Sequence, residues 1–187
     1  YCLILSGDES GNLEALYFIT PVNDPNVMYS FTHHRPHIFA FQGSSLRSHW
    51  ETLKGIEYPV TTKLTDARLN KITINVPSSH QYNVKREISG YYAERWNYER
   101  QYEMMKTLKD WNTYWGGNLK IICTEFGCVD NIGEARYYFI TDLRKSFEAN
   151  DIGWVYWAYN RKYFTVFQPG KNKPFMSFNP AISQPGP

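Results

Sequence analysis

Residues 121–128 read IICTEFGC, an apolar run that passes into a threonine, a carboxylate and then Phe126-Gly127. The run follows the turn-forming pair Gly116-Gly117 and ends at a glycine, which predicts a buried strand between two turns. A carboxylate at the tip of a buried strand must pair, give up its charge or take part in chemistry. Glu125 is therefore the first candidate for a catalytic residue.

The rest of the chain alternates strands with helices. Apolar runs and helical periodicity predict strands over 1–7, 26–34 and 151–160, and helices over 10–19, 92–114 and 134–149. The stretch 35–92 is polar and contains prolines, so it is predicted to be irregular, with short helices near 45–53 and 63–70. Strands that are apolar throughout and separated by helices are typical of a parallel sheet covered by helices, an α/β fold.

Polar residues gather where the predicted strands end. They are Asp8-Glu9, Thr32-His33-His34, Glu125 and Asn160. The carboxyl ends of parallel strands meet at one face of a barrel or one edge of an open sheet, which is where such proteins carry their chemistry. The sequence therefore predicts one site at these strand ends.

The composition narrows the choice of partner. The chain has 187 residues, a net charge of +2 and scattered basic residues, which argues against nucleic acid or a charged membrane as partner. Aromatic residues make up 17% of the chain, a content typical of a tyrosine-rich core and surface or of a site where rings stack on sugars. Both interpretations stay open on composition alone.

The cysteines and the search for targeting signals say little about function or location. The three cysteines are too sparse for a disulfide framework, and Cys123 and Cys128 lack the histidine pair of a zinc site, so buried free thiols are expected. No apolar run reaches the ~18 residues of a membrane helix, and no secretory signal is recognised. The sequence begins at Tyr1 inside a predicted strand, which is typical of a processed or cut product.

Four segments, in this order, resemble the second half of glycoside hydrolase family 5. They are VMYSFTHHRPHIFAFQG (27–43), LKGIEYP (53–59), TEFG (124–127) and IGWVYWAYN (152–160). That family comprises cellulases, mannanases and related retaining β-glycosidases on a (β/α)8 TIM barrel. The resemblance implies a C-terminal (β/α)4 half-barrel with strands five to eight over 1–168 and an irregular tail over 169–187. It also implies a polysaccharide substrate, secretion, and no cofactor or metal.

The resemblance also assigns roles to residues. Glu125 matches the catalytic nucleophile at the end of the seventh strand, and Trp157 matches the tryptophan that stacks under the sugar at the cleavage point. Trp154 lies three residues earlier, faces the opposite way, and is expected to pack against a helix. Further substrate-binding candidates are polar residues at the strand ends and in the matching motifs: His33, Thr32, Gln42 and Asn160.

The sixth-strand motif keeps its spacing but changes its polar residues. The family's histidine falls on Thr32, its tyrosine, which hydrogen-bonds the nucleophile, falls on His34, and the histidine of F-T-H-Q-G is replaced by Phe41. His34 is therefore a second catalytic candidate, as a donor to Glu125. A one-residue slip or a bulge brings in His33 instead, and a third interpretation is a solvated, histidine-rich strand end.

The segments that resemble the family contain only one of its two catalytic carboxyl groups. Retaining hydrolysis needs an acid/base carboxyl about 5–5.5 Å from the nucleophile, and in the family it is the Glu of an Asn-Glu-Pro motif. No Asn-Glu dipeptide occurs here, and Asp8 and Glu9 are weaker substitutes. One hypothesis is a β-1,4-glucan (cellulose) or mannan hydrolase that needs an N-terminal half-barrel chain or a second copy. The other is a non-catalytic, glycan-binding half-barrel that pairs as a dimer.

Overall fold

A computed structural model of the chain describes residues 1–47, 49–159 and 163–165. These residues contain a sheet of parallel strands in the order β1-β2-β3-β4. The strands are β1 (Leu3–Ser6), β2 (Val27–His33), β3 (Lys120–Phe126) and β4 (Gly153–Tyr156). Each strand lies within a segment predicted from the sequence, so the α/β fold with parallel strands is confirmed.

The helices alternate with these strands. They are α1 (Asp8–Gly11), a 3₁₀ helix (Leu13–Phe18), α2 (His37–Ala40), α3 (Asp66–Thr73), α4 (Ser78–Ala93), α5 (Tyr98–Tyr114) and α6 (Glu134–Ala149). The prediction of a helix over 134–149 is confirmed to the residue. The single helix predicted over 10–19 is wrong: Glu9 and Ser10 have φ angles of 53° and 61°, so the chain turns left-handed before the 3₁₀ helix begins.

The chain forms two compact units. The first comprises Tyr1–His34, Tyr98–Gly127 and Asp142–Trp157 and contains all four strands. The second comprises Arg35–Asn97, Cys128–Thr141 and the described residues from Ala158 onwards. Among the described residues, no helix has the length and apolar character needed to cross a membrane.

The core of the first unit lies between the sheet and helices α5 and α6. Tyr29 and Phe31 are both buried. They lie on the same side of β2, because side chains two residues apart on a strand share a face. Tyr29 packs edge-on against Trp111 of α5, with ring centroids 5.6 Å apart. Phe147 of α6 meets Phe31 of β2 and Phe126 of β3 at centroid distances of 6.2 and 5.1 Å. Phe147 therefore joins two neighbouring strands to one helix.

The two outer strands of the sheet are less covered. Leu3 and Ile4 on β1 and Val155 on β4 are each about half exposed. The apolar runs of these strands predicted burial on both faces, and that burial is incomplete here. Among the described strands, β1 and β4 each have a neighbouring strand on one side only, as edge strands do.

The second unit contains the largest error of the sequence prediction. Helix α4 occupies residues that were predicted to be irregular. Its buried residues recur at helical spacing and are Val84, Ile88, Tyr91 and Tyr92. The many polar residues between them weakened this pattern in the sequence. Arg95, with a φ of 51°, follows the end of α4, so the helix predicted over 92–114 begins at Tyr98 instead.

Other differences concern short segments. The described residues of 45–53 form turns rather than the predicted helix, whereas the helix predicted near 63–70 is α3. The strand predicted over 151–160 is shorter and forms β4. The predicted irregular tail over 169–187 lies outside the described residues.

The ring of Phe147 tests the packing of the first unit. Phe147→Ala should lower the free energy of unfolding by about 3–5 kcal/mol, because it leaves a cavity between two strands and a helix. Chemical denaturation followed by circular dichroism measures this loss. Tyr82→Ala, on an exposed position of α4, is the control and should change stability by less than about 0.5 kcal/mol. Equal effects of the two substitutions would contradict the described core.

Candidate active site

A β-bulge in β3 sets the direction of Glu125. Phe31 on β2 pairs with Cys123, but the next residue, Thr32, pairs with Glu125, so Thr124 is an extra residue on β3. Because side chains alternate along a regular strand, an unbulged β3 would point Cys123 and Glu125 to the same side. With the bulge, Cys123 faces the helices and Glu125 lies beside Thr32 on the opposite face.

Glu125 is paired with a histidine. His34 Nε2 lies 2.9 Å from Glu125 Oε1, and Nδ1 of the same ring lies 3.0 Å from the backbone oxygen of Gly127. The His34 side chain is 9% exposed, whereas that of Glu125 is 36% exposed. A nearly buried ring therefore holds one carboxylate oxygen, while the carboxylate keeps access to its surroundings.

Trp157 completes this cluster. Its ring meets the His34 ring edge-on at a centroid distance of 5.8 Å. Its backbone N–H donates to the oxygen of Phe126 over 2.9 Å, and its own backbone oxygen lies 2.6 Å from where a Cβ on Gly127 would sit. Glycine at this position therefore lets the ends of β3 and β4 approach closely. Glu125, His34 and Trp157, which the sequence assigned to one site, lie together.

His33 and Trp154 face the helix layer instead. His33 is buried, and its Nε2–H donates to Gln101 Oε1 of α5 over 3.0 Å. The His33 ring also meets Phe147 edge-on at 6.5 Å. Trp154 packs edge-on against Phe126 of β3 at 5.8 Å, and its expected packing against a helix stays a prediction. The slip that would bring His33 to Glu125 is not observed in this part of the chain.

The other substrate-binding candidates are placed as follows. Thr32 Oγ1 donates to the backbone oxygen of Ser10 over 3.1 Å, in the first unit. Gln42 belongs to the second unit and is buried, with its amide exchanging hydrogen bonds of 3.1 Å with both backbone groups of Ile56. These bonds give Gln42 a structural role, and substrate binding by either residue stays a prediction. Asn160 lies outside the described residues.

The weaker acid/base candidates lie in the turn after β1. Glu9 N–H donates to Asp8 Oδ1 over 2.7 Å, and Asn12 Nδ2–H donates to Glu9 Oε2 over 3.2 Å. Local hydrogen bonds account for both carboxylates as parts of this turn. A catalytic role for either one stays a prediction.

The bulge and Gln101 were missed at the sequence level. The bulge has a sequence signal: Cys123 and Phe126 are both buried on the helix side, although they are three residues apart. An odd spacing between two residues of one face cannot occur on a regular strand. The partner of His33 has no such signal, because Gln101 is distant in sequence and polar residues on a helix are ordinarily exposed.

Cys123 and Cys128 are buried free thiols, as the sequence predicted. Burial raises the pKa of the Cys123 thiol well above its usual range, and it raises that of Cys128 to about 12. Both thiols are therefore neutral near pH 7.

Parallel strands with outer helices, and a paired carboxylate at the strand ends, are the arrangement found in part of a (β/α)8 barrel. No family model and no curated protein matches the sequence. Solved structures do match, and one is the cellulose synthase subunit Z of Clostridioides difficile, at 18% identity and a TM-score of 0.66. It is covered over 49% of its length by 98% of this chain.

Two further matches are endoglucanases. A hyperthermophilic endo-β-1,4-glucanase in complex with substrate matches 97% of this chain at 17% identity, a TM-score of 0.63 and 47% of its own length. Endoglucanase Cel5A of Thermotoga maritima matches 97% of this chain at 14% identity, a TM-score of 0.62 and 48% of its own length. The chain thus spans about half the length of these structures, and the resemblance to half of a family 5 barrel is confirmed for the fold.

Gly127 tests the approach of β3 and β4. Gly127→Ala should lower the free energy of unfolding by about 1–3 kcal/mol, because the added Cβ meets backbone that must move. Gly90→Ala in α4 is the matched control: nothing lies within 4 Å of its Cβ, and alanine favours a helix by up to about 1 kcal/mol. Urea titrations of both variants measure their free energies of unfolding. A Gly127→Ala protein as stable as the control would contradict the close approach.

Thiol reactivity tests the burial of the cysteines. In the folded protein at pH 8, an alkylating reagent should modify exposed Cys2 rapidly and leave Cys123 and Cys128 unmodified, since the thiolate is the reactive form. All three should react in denaturant. Peptide mass spectrometry after timed labelling identifies the modified residues. Rapid labelling of Cys128 in the folded protein would contradict the burial of its thiol.

Proposed function

We propose that this chain carries the nucleophile of a retaining β-glycoside hydrolase that acts on a β-1,4-linked glucan or mannan. The observation that carries the proposal is the cluster of Glu125, His34 and Trp157 at strand ends of a glycosidase-type half-barrel. A partly exposed carboxylate next to an indole matches the two needs of such a site. One group attacks the anomeric carbon, and the other supplies an aromatic surface for the sugar.

The geometry of the pair supports different roles for the two oxygens of the Glu125 carboxylate. His34 occupies Oε1 of Glu125, which leaves Oε2 to attack. In the first step Oε2 forms a bond to the anomeric carbon while the glycosidic C–O bond breaks, and a carboxylic acid elsewhere in the protein protonates the leaving oxygen. In the second step that same group, now a carboxylate, takes a proton from water, whose oxygen displaces Glu125 from the sugar.

The acid/base is expected outside this chain. The chain spans 47–49% of the lengths of the solved structures described above, so a further half-barrel is the natural source of the second carboxyl. A second copy of the chain is the alternative source, and Asp8 and Glu9 are the alternatives within it. Because cellulose and mannan are polymers too large to enter a cell, this activity also requires that the protein be secreted.

A second candidate function is glycan binding without catalysis. The observation that favours it is Thr32, which stands where the resembling family has a histidine and donates to a backbone oxygen. In this case the site retains Trp157 for sugar stacking, and Glu125 has lost its catalytic task.

The decisive substitution is Glu125→Gln in the full-length protein. It keeps the shape but removes the nucleophile, so hydrolysis of soluble β-glucan and mannan should fall by about a thousandfold or more. Glu87→Gln, on an exposed position of α4, is the matched control and should leave the activity unchanged. Mass spectrometry of the protein treated with a 2-deoxy-2-fluoroglycoside should locate a covalent sugar on Glu125. Unchanged hydrolysis in Glu125→Gln would overturn the assignment, and glycan binding without hydrolysis would select the second candidate.

A further inference from the structure

The hydrogen bonds of His34 determine where its protons lie. Nδ1 is 3.0 Å from the backbone oxygen of Gly127, and a carbonyl oxygen can only accept. Nδ1 therefore carries a hydrogen and donates it. In a neutral imidazole the other nitrogen, Nε2, then has a lone pair and no hydrogen.

The contact with Glu125 requires one further proton. Nε2 of His34 and Oε1 of Glu125 are 2.9 Å apart, which is a hydrogen-bond distance. A neutral ring with its hydrogen on Nδ1 and an ionised carboxylate would place two lone pairs face to face. A proton must lie between them, on His34 as an imidazolium or on Glu125 as a carboxylic acid.

We propose that His34 holds this proton as an imidazolium and acts as the positioning residue for the nucleophile, so that the site works only while the proton is bound. This inference rests on the proposed function for its catalytic part. The imidazolium is favoured because the carboxylate 2.9 Å away offsets the cost of burying a cation. A protonated Glu125, in contrast, could not act as a nucleophile.

The imidazolium fits both chemical steps. Its Nε2–H fixes Oε1, so the carboxylate turns Oε2 towards the anomeric carbon. When the sugar ester forms, Oε1 becomes the ester carbonyl and still accepts this hydrogen bond. When water attacks the anomeric carbon and displaces Glu125, negative charge returns to the carboxylate, and the adjacent cation stabilises that charge as it develops. The proton stays on His34 throughout, so the two steps balance without it.

Glu125 is the charged group that lies at hydrogen-bond distance from the His34 ring. From β3, the Cys123 thiol is neutral because burial raises its pKa. On β2, His33 points the other way and donates to Gln101. From the chain after β4, Trp157 contributes a ring that does not titrate. The charge of the pair therefore changes from zero to minus one when the proton leaves.

The first test is nuclear magnetic resonance of the full-length protein with ¹⁵N-labelled histidine and ¹³C-labelled glutamate carboxyl groups. At pH 6, both nitrogens of His34 should carry hydrogen and Glu125 should be ionised. In Glu125→Gln the amide N–H can donate to a neutral ring, so Nε2 should carry no hydrogen at the same pH. A neutral His34 at pH 6, beside either form of Glu125, would overturn the proposal.

The second test measures the role in catalysis. A 2-deoxy-2-fluoroglycosyl fluoride inactivates a retaining glycosidase by forming the sugar ester on its nucleophile. Its fluoride leaves without a proton, so the rate of inactivation does not depend on the acid/base carboxyl group. Inactivation should slow at least tenfold above the pH at which His34 loses its proton. His34→Tyr, whose neutral hydroxyl donates at every pH below about 10, should be inactivated at a rate independent of pH over the same range.

The outcomes separate the two proposals. If the protein neither hydrolyses glycans nor reacts with the fluoride, the proposed function fails, whereas the magnetic resonance result still decides the charge of His34. If inactivation of the wild-type protein does not slow as His34 loses its proton, the positioning role is wrong even though the glycosidase assignment stands. His34→Gln, a neutral donor of similar size, is the control for structural loss and should behave as His34→Tyr does.

Discussion

One extra residue on β3, Thr124, reverses the direction of every side chain that follows it on the strand. Without the bulge, Glu125 would point into the helix layer, where Phe147 packs, and Phe126 would point to the opposite face. Either change is unfavourable, because it buries a carboxylate among aromatic rings and removes a ring from the core. The packing of Phe126 and the exposure of Glu125 thus both depend on one irregularity in the strand pairing.

The geometry that follows the bulge depends on a second close contact. Because Gly127 has no side chain, the chain after β3 runs against the backbone of Trp157. This position brings the carbonyl oxygen of Gly127 to His34, and the Trp157 ring meets the same imidazole edge-on. The sequence Glu-Phe-Gly therefore supplies three linked parts: a nucleophile candidate, a core ring and an acceptor that orients the histidine.

Sequence patterns predicted the parts of this molecule that local physics determines. The apolar runs located the four strands of the described part of the chain, and the amphipathic repeat located α6 to the residue. Helix α4 was missed because its apolar residues are spaced correctly but are outnumbered by polar ones. The bulge was missed because its signal, two core residues three positions apart on one strand, is recognised only when pairing with β2 and β4 places both residues on one face. The cluster of Glu125, His34 and Trp157 was found by resemblance, whereas the proton between the first two required the position of a distant carbonyl.

The distance between strands limits how a second carboxyl can reach Glu125. Neighbouring strands lie about 4.8 Å apart, so a residue on a strand added at the free edge of β1 would be about 14 Å from β3 in a flat sheet. Retaining hydrolysis needs about 5–5.5 Å between the two groups. Only a sheet curled towards a closed barrel points both side chains at a common centre. Closure would also cover the half-exposed apolar residues Leu3, Ile4 and Val155, so the burial of these edges and the assembly of the two carboxyls would be one event.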